Sequence, residues 1–91
     1  MNKKDNLQQH RDRLRFRSWH RGTREMDLLL GRFADAHLPT FSPEQLADYE
    51  VILELSDPDL YNWIAGKEPV PAEHDNAVMK MICSHSVVEK I

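Results

Sequence analysis

Apolar residues recur at helical spacing through the middle of this 91-residue chain. Five residues share the i, i+3, i+4, i+7 spacing of one helix face: Met26, Leu29, Leu30, Phe33 and His37. The first turn of this segment is acidic, which suits the positive end of a helix dipole. Pro39 disfavours helical conformation at the residue before it. The pattern predicts a helix from about Thr23 to Leu38.

The next helix has the clearest start signal in the sequence. In Ser42-Pro43-Glu44-Gln45, Ser stands at the N-cap, Pro at the first helical position and Gln at the third, which is a capping box. Phe41 and Leu46 occupy the positions of a hydrophobic staple. The helix is predicted to run to about Leu55. Its inward-facing residues are Leu46, Tyr49, Ile52 and Leu53.

Three further helices complete the prediction. A first helix covers roughly Gln8 to Trp19, with Leu7, Leu14 and Ser18 on one face. A fourth helix is capped by Asp57 before Pro58, carries Leu60, Trp63 and Ile64, and ends before Gly66. A fifth begins near Ala72 and turns Val78, Met81, Ile82 and His85 to one side.

No segment has the pattern of paired strands. We therefore expect an all-α fold, a compact bundle of about five short helices forming a single domain over residues 1–91. Residues 1–6 are predicted to be flexible, and residues 86–91 to be frayed.

Composition narrows the class of protein. With 41% hydrophobic and 30% charged residues, the chain is expected to be globular. The longest apolar run, Leu28 to Leu30, is far too short for a membrane span, and no secretory signal is visible. The lone Cys83 has no partner for an internal disulfide, which favours a reducing compartment such as the cytoplasm.

The net charge of −3 conceals an uneven distribution. Residues 1–24 contain eight basic and two acidic residues, whereas residues 25–91 contain four basic and thirteen acidic ones. A molecule divided in this way suits docking to a protein with complementary patches.

The residues of common catalytic and metal sites are missing at the necessary spacings. No two histidines stand four apart, there is no cysteine pair, and three scattered glycines cannot build a phosphate loop. Cys83 is expected to be an apolar packing residue, and His37 and His85 are expected at the edge of the core. We predict no metal site, no catalytic residues and no enzymatic activity of its own.

The second helix also has an unusual outward face. Five residues are predicted to point away from its core stripe: Arg24, Leu28, Gly31, Arg32 and Asp35. Either another helix of the bundle packs there, with Gly31 allowing close approach, or an external partner docks at Leu28 and Gly31.

Gly22 is expected to form a sharp corner before the second helix. Arg21 and Glu25 are four residues apart and are predicted to pair. The corner would present Arg21, Arg24, Glu25 and Asp27 as a polar cluster suited to recognising a protein surface.

Two other functions stay open on these residues. Arg11, Arg13, Arg15 and Arg17 form a basic stripe interleaved with aromatic side chains. This stripe is either a solvated face or a nucleic-acid contact. A regulatory, toxin-neutralising protein is a further alternative.

Two sequence blocks carry a resemblance to a known family. Arg21-Gly22-x-x-Glu25-x-Asp27, followed by the apolar helix, resembles the RGxxE signature of the SdhE family, small flavinylation and assembly factors of succinate dehydrogenase. The segment 56–63, SDPDLYNW, resembles the family's second signature, DDPDLFNW. The resemblance covers about Leu14 to Ser84. His20 and Tyr61 depart from the usual residues.

The resemblance implies a five-helix assembly factor without an active site. Family members bind the flavoprotein subunit of succinate dehydrogenase, or of fumarate reductase in some bacteria, and promote covalent attachment of FAD to it. The FAD belongs to the partner, so no stably bound cofactor is expected. A monomer is expected, in the bacterial cytoplasm or, in a eukaryote, the mitochondrial matrix, with no membrane contact.

Carried over by position, the resemblance places Arg21, Gly22, Glu25 and Asp27 at the interface, with Gly22 allowing close approach. Together with the outward face of the second helix, the expected partner-binding residues are Arg21, Gly22, Arg24, Glu25, Asp27, Leu28 and Gly31. The segment 57–59 is expected mainly to cap the fourth helix. Tyr61 is expected in the core or at the interface, and Trp63 is expected in the core.

Overall fold

Five α-helices account for most of the chain. A computed structural model describes the backbone of residues 3–90 and the side chains of residues 6–85. The helices are α1 (Lys3–Trp19), α2 (Arg24–His37), α3 (Pro43–Leu53), α4 (Asp57–Ile64) and α5 (Ala77–Lys90). Short 3₁₀ turns lie at Leu38–Thr40 and Ala72–His74. No strand occurs among these residues, and the predicted all-α bundle is confirmed.

Side chains cap the starts of the two central helices, and the cap of α3 is the predicted one. The Thr23 hydroxyl accepts a hydrogen bond from the backbone N–H of Met26 at 3.4 Å. At α3, the Gln45 N–H donates to the Ser42 hydroxyl at 3.2 Å, and the Ser42 N–H donates to the Gln45 side chain at 2.9 Å. The capping box is therefore complete, and it fixes the start of α3.

Three predicted helix starts were wrong. Helix α1 begins at Lys3 instead of Gln8, since no proline or glycine interrupts the preceding residues. Helix α4 is capped by Ser56 instead of Asp57, because the Ser56 hydroxyl accepts from the N–H of Asp59. Helix α5 begins at Ala77 instead of Ala72, because a 3₁₀ turn comes first and the Asn76 side chain accepts from a backbone N–H of α5.

The predicted flexibility of the chain ends stays a prediction. Residues 1, 2 and 91 lie outside the described part of the chain, as do the side chains of residues 86–90. Across the described residues, no helix is long and apolar enough to cross a membrane.

The core is built from the helix faces that the apolar spacing predicted. Fully or nearly fully buried residues come from α2 (Met26, Leu30, Phe33, Ala34), α3 (Leu46, Tyr49, Ile52, Leu53), α4 (Leu60, Ile64) and α5 (Val78, Met79, Ile82). Helix α1 contributes Leu14, and the connection between α2 and α3 contributes Leu38 and Phe41. Leu29 and Trp63 are half-buried against this cluster.

A buried polar contact joins α1 to α3. Ser18 is fully buried, and its hydroxyl lies 2.7 Å from the Leu14 carbonyl oxygen and 2.6 Å from the Tyr49 hydroxyl. Burial raises the pKa of Tyr49 to about 12, so this hydroxyl keeps its proton. Tyr49 can therefore donate to Ser18 while Ser18 donates to Leu14, which satisfies both buried hydroxyls.

The predicted basic stripe of α1 makes contacts within the protein. The Arg15 Nε lies 2.7 Å from Asp35, and the Arg17 Nη2 lies 2.9 Å from Glu54. Arg11 donates to the carbonyl oxygen of Phe41 at 2.9 Å. These contacts hold α1 against α2 and α3, so most of the stripe serves the fold. They do not favour the nucleic-acid alternative.

Gly31 is buried where α1 crosses α2. A Cβ added at this position would lie within 2.6 Å of three atoms of the Trp19 indole ring. The indole is held in turn by its Nε1, which lies 3.2 Å from a carboxylate oxygen of Asp35. Of the two explanations for the outward face of α2, packing of another helix is therefore correct for Gly31, and partner docking there is wrong.

The close contact between Gly31 and Trp19 predicts the effect of one added methyl group. Gly31→Ala should destabilise the protein by about 1–3 kcal/mol because the indole must move, even though Ala is otherwise the better helix former. Urea unfolding followed by Trp fluorescence would measure this. In a Trp19→Ala background the same substitution should lose its penalty, and an unchanged penalty would contradict the proposed clash.

The surroundings of His37 predict that the stability of the folded protein depends on pH. Its ring lies 4.6 Å from that of Phe33 and 5.6 Å from that of His85, between centroids. Burial, and secondly the proximity of His85, lower the pKa of His37 below its ordinary 6.5. Between that lowered pKa and 6.5 the folded protein binds fewer protons than the unfolded chain. The contribution to stability is present above this window and is lost as pH falls through it.

Urea unfolding at a series of pH values from 8 to about 5 tests this expectation. The His37→Gln variant should lose less stability on acidification than the wild type. An equal loss in both proteins would show that His37 is not the responsible group.

Candidate functional site

The side chain of Arg21 fastens the α1–α2 corner to the turn between α3 and α4. Its guanidinium donates to the carbonyl oxygens of Leu53 and Leu55 and, through Nε and Nη2, to one carboxylate oxygen of Asp57 at 2.9 and 2.7 Å. Only 11% of the Arg21 side chain is exposed, against 22% for Asp57. This arginine therefore joins the α1–α2 corner to both α3 and α4, and its hydrogen-bonding groups point into the protein.

Asp27 shapes the backbone of the same corner. One of its carboxylate oxygens accepts the N–H groups of Arg21 at 2.6 Å and Gly22 at 3.3 Å. Gly22 has a φ of +112°, a conformation that residues with a Cβ rarely adopt. A Cβ there would meet nothing within 4 Å, so the backbone conformation is what requires glycine within the free protein.

The residues around Arg21 and Asp27 form a largely exposed surface. Thr23, Arg24 and Glu25 are exposed, and Leu28 is half-buried. A shallow groove on one side is lined by Trp19, His20, Gly22, Thr23, Arg24, Asp27 and Leu28. A second groove, on the side facing α4, is lined by Thr23, Glu25, Met26, Asp57, Pro58 and Tyr61. We call Gly22, Thr23, Arg24, Glu25 and Leu28 together the corner surface.

The structure divides six of the seven predicted partner-binding residues into two groups, and the seventh, Gly31, is buried against Trp19. Gly22, Arg24, Glu25 and Leu28 lie together on the corner surface. Arg21 and Asp27 form the frame behind it. The predicted pairing of Arg21 with Glu25 was wrong, because the Arg21 guanidinium is occupied by Asp57 and two carbonyl oxygens.

Two residues near the corner, Thr23 and Trp19, were missed by the sequence analysis, which had left Tyr61 open between the core and the interface. Thr23 and Tyr61 line the groove facing α4, where Tyr61 is 37% exposed. Trp19 lines the groove on the other side. The position of Tyr61 within the SDPDLYNW block was the available signal, but only the Arg21–Asp57 contact brings that block to the corner.

The described side chains offer few groups for covalent or metal chemistry. No group of three or more His, Cys, Asp or Glu residues among them is arranged to hold a metal ion. Cys83 is half-buried. Burial, and secondly the nearby Asp75, raise the pKa of its thiol, which disfavours the nucleophilic thiolate.

Comparison with known proteins decides the family. The sequence profile of the Sdh5 family, described as flavinator of succinate dehydrogenase, matches residues 12–86. The chain belongs to this family. This Sdh5-family protein is 41% identical over 86 residues to the FAD assembly factor SdhE of Acetobacter pasteurianus, a match that spans 94% of the chain and 79% of that relative.

Mitochondrial relatives extend the same similarity. The chain is 39% identical over 79 residues to succinate dehydrogenase assembly factor 2 of Dictyostelium discoideum, and 40% identical over 81 residues to assembly factor 2-A of Drosophila erecta. Both matches cover 87% of this chain, but the chain spans only 56% and 50% of those relatives. The shared region contains every residue of the frame and of the corner surface.

The frame of this Sdh5-family protein predicts unequal roles for two neighbouring aspartates. Asp57→Asn removes the charge that pairs with a largely buried guanidinium and should destabilise the protein by about 1–3 kcal/mol. Asp59→Asn is the matched control, because Asp59 is exposed in the same helical turn. Chemical denaturation of both variants measures the difference. Equal stabilities would contradict the role assigned to the Arg21–Asp57 pair.

Proposed function

We propose that this protein binds the flavoprotein subunit of succinate dehydrogenase and promotes covalent attachment of FAD to that subunit. The observation that carries the proposal is the family match over residues 12–86, together with the similarity to a bacterial FAD assembly factor. The bond-making groups in this proposal belong to the flavin and to the flavoprotein. The protein is not itself an enzyme and holds no FAD in its free state.

The corner surface is the proposed contact with the flavoprotein. Three exposed members, Gly22, Arg24 and Glu25, provide one small residue and charges of both signs, and the half-buried Leu28 adds an apolar side chain. Such a mixture suits recognition of a specific protein surface, with the charges selecting the partner and its orientation. Thr23 lines both grooves and therefore connects the two sides of the proposed contact.

Rigidity of the corner supports this role. Asp27 accepts hydrogen bonds from the backbone N–H groups of residues 21–22. Arg21 donates to backbone carbonyl oxygens in the segment 53–55, and these bonds together hold the corner in place. A surface held in its binding conformation loses less conformational entropy on association than a mobile loop does. The protein can then hold the flavoprotein in a conformation that aligns the residue receiving FAD with the flavin, which is catalysis by positioning.

The role of Glu25 can be tested by co-expression with the flavoprotein subunit. Glu25→Ala removes an exposed carboxylate from the corner surface and should lower covalent flavin incorporation about tenfold or more, if Glu25 is a binding hot spot. Glu44→Ala is the matched control, because Glu44 is also exposed and lies in the first turn of α3. In-gel flavin fluorescence of the denatured subunit measures the outcome.

Two results would count against the proposal. Flavin incorporation that does not depend on co-expression of the wild-type protein would reject the function. Equal incorporation with Glu25→Ala and Glu44→Ala would reject the corner surface as the contact. The circular dichroism of both variants should match that of the wild type, because neither glutamate is buried.

A further inference from the structure

Phe16 is the most exposed large hydrophobic residue among the described side chains. Its exposed fraction is 63%, although it lies on a helix whose inner face buries Leu14 and Ser18. A single exposed apolar residue is common and needs no explanation by itself. Phe16 is distinguished by its surroundings, which hold the ring in place and connect it to the corner surface.

The Phe16 ring is stacked on the ring of His20, one helical turn later. The centroids are 4.0 Å apart and the planes differ by 18°. The Nδ1 of His20 lies 2.7 Å from the carbonyl oxygen of Phe16, so the imidazole is itself held by the end of α1. Two aromatic rings are therefore fixed on the surface before any partner arrives, which reduces the entropy lost on binding.

Trp19 connects this stack to the corner surface. One groove beside it is lined by Asp12, Arg15, Phe16, Trp19 and His20, and the groove of the corner surface also contains Trp19 and His20. Since the two grooves share these two residues, the exposed aromatic area continues directly into the proposed interface. We call Phe16, Trp19 and His20 the aromatic ridge.

Two exposed basic residues beside the ridge are suited to carboxylates on a partner. Arg13 lies three residues before Phe16 on the same exposed face of α1, and Arg24 is exposed on the corner surface. Arg15 lies in the groove and is paired with Asp35. The acidic residue in this groove, Asp12, accepts a hydrogen bond from Gln8 at 2.9 Å.

We propose that the aromatic ridge is a second contact for the flavoprotein subunit, receiving an apolar or aromatic side chain from an acidic segment of that subunit. This inference rests on the proposed function, because the occupant is the same partner. Phe16 supplies a flat apolar surface at the centre of the contact, a kind of residue that often dominates binding energy. Arg13 and Arg24 flank it and select carboxylates on the partner.

Binding of the full-length chain to the apo flavoprotein subunit, measured by titration calorimetry, tests the ridge. Phe16→Ala should raise Kd about tenfold or more, whereas Phe16→Tyr should stay within about threefold because the stacking surface is kept. Val51→Ala is the matched control, since Val51 is an apolar side chain with 58% exposure on α3. It should leave Kd unchanged. The thermal midpoints of the Phe16 and Val51 variants should equal that of the wild type.

The acidic character of the partner segment has its own test. Arg13→Glu should slow association with the subunit and make the rate less sensitive to salt. An association rate and salt dependence equal to those of the wild type would overturn the assignment of an acidic segment.

The outcomes separate this inference from the proposed function. If Glu25→Ala weakens binding and Phe16→Ala does not, the ridge is overturned and the function stands. If the wild-type protein does not bind the subunit, the ridge contact and the proposed function are both rejected. A dimer of the free chain that dissociates in Phe16→Ala would show that a second copy occupies the ridge, and it would also overturn the inference.

Discussion

The arrangement of the corner depends on one largely buried guanidinium. Arg21 stands between two helices in the sequence, yet its donors reach residues 53–57, which lie more than thirty positions away. A buried charge is tolerated only where its hydrogen bonds are made, so the turn between α3 and α4 must follow the corner closely. This requirement explains how two separate sequence blocks, one before α2 and one at the start of α4, become a single structural unit.

Residues that are close together in the sequence therefore have different structural roles. Arg21 and Asp27 direct their polar groups inward, and the residues between them are left to face solvent. A motif of this kind combines a rigid support with exposed residues, which we propose as the partner contact. On that proposal, loss of function after substitution of Arg21 would report loss of the support, whereas loss after substitution of Glu25 would report loss of a direct contact.

Local signals in the sequence were sufficient for most of the fold. The apolar spacing of α2 and the capping box of α3 act within one or two helical turns, and both appear as predicted. Long-range contacts were not accessible in this way. The partner of Arg21 lies far along the chain, so the nearest carboxylate at helical spacing, Glu25, was the wrong choice. For a similar reason the sequence could not decide between helix packing and partner docking at Gly31, because its neighbour Trp19 belongs to another helix.

The attachment of α1 has a consequence for the order in which the molecule opens. This helix places Leu14 and Ser18 in the interior, and much of its remaining attachment consists of ion pairs at the surface, such as those of Arg15 and Arg17. Exposed ion pairs contribute little free energy and are weakened by salt. We therefore expect local unfolding to begin at α1, and we expect the helices around Phe33 and Tyr49 to retain their protection against amide hydrogen exchange. A partner seated on α1 would close this route and protect the amides of α1 as well.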